Sequence, residues 1–126
     1  MYHVHVLLTP TSDLSLPALA QKIAAAHPKT TLENTGSELI LTEGNWDYHI
    51  AWRSDESTLQ EIEGIVGHIS GIEVDHEIRT CDHQLEIWSD TPDPFMQYYD
   101  IHWQILEIIR SFHGVYLVDP GEFTLL

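Results

Sequence analysis

Apolar and polar residues alternate from Met1 to Thr9, with Tyr2, Val4, Val6 and Leu8 on one face and His3, His5 and Thr9 on the other, which predicts a half-buried strand. The spacing then lengthens. Leu16, Leu19, Ile23 and Ala24 form a helical stripe that Ser15 can cap and that Pro28 stops after Ala26. Three short runs, 30–34, 38–43 and 46–53, are separated by Gly36 and by Gly44-Asn45 and predict an antiparallel meander. In the last run Trp46, Tyr48, Ile50 and Trp52 point inward, while Asp47, His49 and Arg53 point outward. Ser54 is placed to cap a second helix with Asp55 and Glu56 in its first turn, a stripe of Leu59, Ile62, Val66 and Ile69, and Gly71 at its C-terminal end. Strands are predicted near 72–79 and 83–89, and a last one over Val115 to Val118 before the turn Asp119-Pro120-Gly121.

Between these last strands, residues 92–112 predict one long helix, begun by Thr91 or Asp93 with a proline behind it and ended at Gly114. At about 100° per residue it carries two apolar stripes. Phe95, Tyr98, Ile101, Ile105, Ile108, Ile109 and Phe112 fall on one side, and Met96, Tyr99, Trp103 and Leu106, with Arg110 at their end, fall roughly opposite. One stripe makes a core; the second needs cover from another segment, such as Phe123 to Leu126, or from another chain. The predicted order is β-α-β-β-β-α-β-β-α-β over one domain, 1–126, giving an α+β fold in which a single mixed sheet carries three helices. Its opening β-α-β-β followed by α-β has the connectivity of a ferredoxin-like unit, with additions.

At 126 residues the chain can bury about two-thirds of its unfolded surface, so neither metal nor disulfide is required for folding, and no cofactor is expected. Cys81 is the single cysteine. With no apolar run near 20 residues and no basic, cleavable leader at the N-terminus, a cytoplasmic location is expected. Charge changes the picture more. Five Lys and Arg face 20 Asp and Glu, a net charge of −15. Residues 1–54 hold five acids against three bases, a balance of −2, and residues 55–126 hold fifteen against two, a balance of −13. Such a field repels nucleic-acid backbones and anionic membranes, so neither is an expected partner.

Nine histidines raise metal binding. His3 and His5 share a strand face and His49 lies on the polar face of another strand, but no HExxH or CxxC spacing supports a zinc site, and the same residues read as a solvated face. His76, Cys81 and His83 surround a turn and admit either a packing role or a thiolate nucleophile held by an imidazole. Carboxylate pairs carry no information in so acidic a chain, and no phosphate loop or nucleophile elbow is present.

The acidic comb says more. Glu73, Asp75 and Glu77 alternate with Ile72, Val74 and Ile78, and Glu86, Trp88 and Asp90 continue the polar face on the next predicted strand. A Trp among carboxylates reads either as a ring lying over aliphatic stems or as the anchor of a surface that pairs with Lys and Arg. Met96, Tyr99, Trp103 and Arg110 add residue types enriched in interfaces. The expectation is a non-enzymatic acidic binding protein, of the immunity or inhibitor type, for a cationic protein surface. A small metal- or Cys/His-dependent enzyme and a homodimeric structural or regulatory domain remain as alternatives.

Overall fold

In the computed structural model, residues 2–69 and 76–126 are described. Strand β1 (Tyr2–Leu8) leads through α1 (Leu16–Ala26) into β2 (Thr31–Asn34), β3 (Glu38–Glu43) and β4 (Trp46–Arg53); α2 (Glu56–His68) and a 3-10 turn (His76–Thr80) precede β5 (His83–Ser89), α3 (Tyr99–Arg110), β6 (Val115–Asp119) and β7 (Thr124–Leu125). The seven strands form one sheet in the order β2-β3-β4-β5-β1-β6-β7, and every ladder is antiparallel. The α+β class with three helices on one sheet therefore holds. No helix among the described residues is long and apolar enough to cross a membrane.

Period-2 alternation divides the sheet into two unlike faces. One, bearing Val4, Val6, Leu39, Leu41, Tyr48, Ile50, Leu85 and Ile87, packs with Leu19 and Ile23 of α1 and Ile105, Leu106 and Ile109 of α3 in the main core. The other is covered only in part. Leu7 and Val118 meet Ile62 and Ile65 of α2, Ile78 and Cys81 in a smaller second core. Because β1 lies between β5 and β6 and has cover on both sides, His5 and Thr9 are buried, against the expectation that both face solvent.

The sequence also places several boundaries differently from the structure. Asp55, not Ser54, caps α2: its carboxylate accepts from the Thr58 backbone N at 2.8 Å, the Thr58 hydroxyl at 2.7 Å and the Ser57 hydroxyl at 2.9 Å, which holds it at a pKa of about 2. With its hydroxyl satisfied there, Thr58 is buried beside Ile62 and Ile65, and Leu59 turns outward at 45% exposure. Where a strand was expected over 72–79, residues 76–80 form the 3-10 turn instead. Both edges of β5 are already paired, with β4 and β1, so the preceding segment cannot form a hairpin with it. Residues 70–75, including Gly71 and the start of the expected strand, lie outside the described residues.

The long helix is shorter than its apolar pattern. Asp93 accepts from the backbone N of Gln97 at 2.8 Å and of Tyr98 at 3.0 Å, and from the Tyr2 hydroxyl at 2.6 Å. These bonds satisfy backbone donors outside any helix, and Met96 takes a left-handed φ of 54°, so α3 begins at Tyr99 and Phe95 projects into solvent. The two predicted stripes of α3 are the flanks of one broad buried face. His102, counted as polar in the sequence pattern, lies buried between them with Ile105, Leu106 and Ile109. At the far end, Gly114 (φ 68°) turns the chain out of α3 and its carbonyl accepts from the Thr9 backbone N at 2.9 Å.

Candidate docking face

The uncovered part of the second sheet face is built by register. One cross-strand rank runs Glu33, Ile40, His49, Trp88, His3; the next runs Glu38, Ala51, Glu86, His5; a third pairs Arg53 with Gln84 and Leu7. The cover from α2 reaches this area through Glu61, whose carboxylate contacts Arg53 Nη1 at 3.3 Å and accepts from Gln84 at 3.4 Å. Beyond that line Ile40, His49, Ala51 and Trp88 are partly exposed, and Glu33, Asp47 and Asp90 are exposed. Arg53 is the one Lys or Arg in strands β2, β3, β4 and β5.

Trp88 and His49 stack nearly parallel, with centroids 4.9 Å apart and an interplanar angle of 7°. His49 Nδ1 lies 2.5 Å from Glu38 Oε1, and His3 Nε2 lies 3.4 Å from Glu86 Oε1. Arg53 Nη1 donates to Glu86 Oε2 at 3.0 Å and so serves two carboxylates. Burial, then the neighbouring His3, lowers the pKa of His5, which favours a neutral ring able to accept from the Gln84 amide. Gln84 is fully buried, and its Oε1 has no donor among the described residues.

Of the comb, Glu86 and Trp88 lie on one face of β5, and Asp90 is exposed just beyond the strand's end. Glu73 and Asp75 lie outside the described residues. Glu77 sits on the 3-10 turn, exposed, within 3.4 Å of the Tyr116 hydroxyl. The interface-type residues of α3 are elsewhere, because that helix packs on the opposite face of the sheet. Met96 precedes the helix at 58% exposure and Tyr99 is 39% exposed; Trp103 is partly buried against the main core, its indole N–H without a partner among the described residues, and Arg110 pairs with Glu107. Phe123 packs on the second core, so the C-terminal segment does not bring that ring over Trp103. Trp103, packed on the main core, and the β5 residues Glu86 and Trp88 therefore lie on opposite sides of the sheet.

The other candidates separate as well. Trp88 stands between His49 and His3 in the register, and among the described residues no three His, Cys, Asp or Glu converge as metal ligands. Cys81 is buried in the second core, and that burial, reinforced by Asp82 and Glu77, pushes its thiol up to about 12, the reverse of an activated nucleophile. His83 turns to the opposite face beside Trp52, with Nδ1 2.6 Å from Asp82 Oδ1.

What the sequence pattern did not reveal is the rank structure itself. Ala51, flanked by Glu38 and Glu86, and the His49–Trp88 stack depend on which strands become neighbours, and β4 and β5 are separated along the chain by α2 and the 3-10 turn. Comparison with protein-family models, curated proteins and solved structures finds no match.

Proposed function

We propose that this chain is a non-enzymatic acidic binding protein, of the inhibitor or immunity type, that docks its uncovered sheet face onto a cationic protein surface. The observation that supports the reading is the partly exposed Trp88–His49 stack set among Glu33, Glu38, Asp47, Glu86 and Asp90 with Arg53 as the only neighbouring base in those strands. Carboxylates around an aromatic anchor steer a basic partner and then hold it, whereas the charge of the whole chain repels nucleic acid. Association steered in this way is fast at low salt and falls steeply as salt is added.

The test is stopped-flow binding of a fluorescent nona-arginine peptide across a salt series. Association should slow markedly as ionic strength approaches ~0.15 M, where charges more than about 8 Å apart are screened. The triple variant Glu33→Gln, Asp47→Asn, Asp90→Asn should lower the on-rate more than it raises the off-rate. A salt-independent on-rate, unchanged in the triple variant, would remove the reading. A second reading, self-association, is favoured by Phe95 at 90% exposure beside Met96 and Tyr99. Light-scattering mass of the protein and of Phe95→Ser decides it.

A further inference from the structure

The turn between β3 and β4, the first residue of β4 and the segment 91–98 line a cavity of about 370 Å³. Its walls are aromatic and proline-rich, formed by Trp46, Tyr98 and Phe95 with Pro92 and Pro94. Trp46 and Tyr98 stack with centroids 4.6 Å apart and an interplanar angle of 7°, and Phe95 is 90% exposed. Two observations show what the cavity lacks. Trp46 is only 1% exposed, yet its indole N–H has no acceptor among the described residues, and orphaned buried donors are rare. The Tyr98 hydroxyl is likewise without a partner there. Asp93, the one carboxylate of the lining, is already occupied by the Tyr2 hydroxyl and the backbone N of Gln97 and Tyr98. The cavity therefore offers donors and rings but no free carboxylate.

We propose that this cavity docks a proline-rich segment of a partner protein in the polyproline II conformation, its rings packed among Phe95, Pro92 and Tyr98 and its carbonyls accepting from the Trp46 indole and the Tyr98 hydroxyl. The choice of proline follows from the donor count. Proline has no backbone N–H, so such a segment brings acceptors without adding donors that Asp93 is no longer free to meet. Polyproline II makes no internal hydrogen bonds, which leaves its carbonyls available, and it is already formed before binding, which lowers the ordering cost of entering an aromatic groove. An ordinary extended peptide or a sugar brings donors as well and leaves them unmatched. Charge selects the flanks of the segment. Asp47 and Asp90, both exposed, adjoin the lining residues Trp46 and Thr91 along the chain, so Lys or Arg beside the prolines meets carboxylates there. The site is separate from the Trp88–His49 stack and does not depend on it.

The test titrates the isotope-labelled full chain, followed by NMR, with a peptide of six L-prolines flanked by two lysines at each end. The control carries D-prolines in their place, with equal charge and composition but the opposite helical hand. The wild-type protein should bind the L-proline peptide about tenfold more tightly than the control, and the indole N–H resonance of Trp46, identified by its loss in Trp46→Phe, should move downfield as it gains an acceptor. Tyr98→Phe keeps the ring and removes one donor, and Phe95→Ser removes an exposed wall; each should weaken the L-proline peptide about fivefold or more while leaving the control unchanged. Phe95→Ser, at an exposed position, carries the comparison if Trp46→Phe does not fold. No binding of the L-proline peptide, equal binding of both peptides, or an unmoved indole resonance in the bound protein overturns the proposal. None of these results bears on acidic docking, because nona-arginine contains no proline.

Discussion

Replacing His102 with Gln isolates the effect of burying a histidine at the centre of the α3 face. The imidazole is 6% exposed, its Nδ1 lies 2.7 Å from the Tyr48 hydroxyl, and the Tyr2 ring stacks on it at 4.5 Å. Burial lowers its pKa to about 4 from an ordinary 6.5. Above pH 6.5 the ring is neutral in the folded and unfolded chain alike, and its titration costs nothing. As pH falls below 6.5 the unfolded chain takes up a proton that the folded chain refuses, so stability is lost progressively until about pH 4, where the native ring protonates as well. The full displacement corresponds to about 3 kcal/mol, and partial solvent access reduces the expected loss to about 2 kcal/mol. Gln retains an amide for Tyr48 but does not titrate, so His102→Gln should cost about 1 kcal/mol near pH 7 and then lose less stability than wild type on acidification. Urea unfolding at intervals from about pH 7 to about pH 4.5 measures both curves, and the difference between them cancels the other histidines and carboxylates. Curves that run parallel through that window would refute the assignment.

Gly114→Ala should be more damaging than Gly36→Ala. Both backbones are left-handed, but a Cβ at Gly114 collides with Thr9 Oγ1 and approaches Ser12 Cα at 3.2 Å, whereas the space at Gly36 is open; losses of about 3 and 1 kcal/mol are expected in denaturant unfolding. His5→Ser should cost about 2 kcal/mol or more, because it removes a buried ring and leaves the Gln84 amide only its long contact to Glu61, while His3→Ser at an exposed site should change stability by less than about 0.5 kcal/mol. Cys81 should react with a disulfide reagent slowly in the native protein and rapidly in denaturant; rapid native labelling would contradict its burial and raised pKa.

The features legible from sequence were those set by local periodicity. The bounds of α1 and β5 and the meander 31–53 follow from spacing, proline and glycine positions, and observed and expected limits differ by at most a residue or two. Where a polar group changes its character by finding a partner, the pattern misleads. Thr58 enters the core because Asp55 takes its hydroxyl, His102 because Tyr48 meets its ring, and Asp93 unwinds the expected first turns of α3 by binding their backbone donors. The candidate site was half legible for the same reason. Trp88 and Glu86 are two residues apart on one strand, but their neighbours His49, Ala51 and Arg53 come from strand pairing, which periodicity does not specify.

The interior position of β1 has a consequence for how the molecule assembles. Its partners are β5, whose residues lie about 80 positions further along the chain, and β6, about 110 further along. During synthesis β1 must therefore wait until β5 and β6 have been made before either neighbour can pair with it. The unit from α1 to β4 can meanwhile form from local contacts, with Leu39, Tyr48 and Ile50 still short of the packing that β1, β5 and α3 bring. Closure of the sheet around β1 is then the step that couples the two halves, and its long loops predict refolding in the slower range for a domain of this size, with a transient species that exposes apolar sheet and aggregates as concentration rises. The residues that fill the main core would thus be the same ones that make this protein hardest to refold at high concentration.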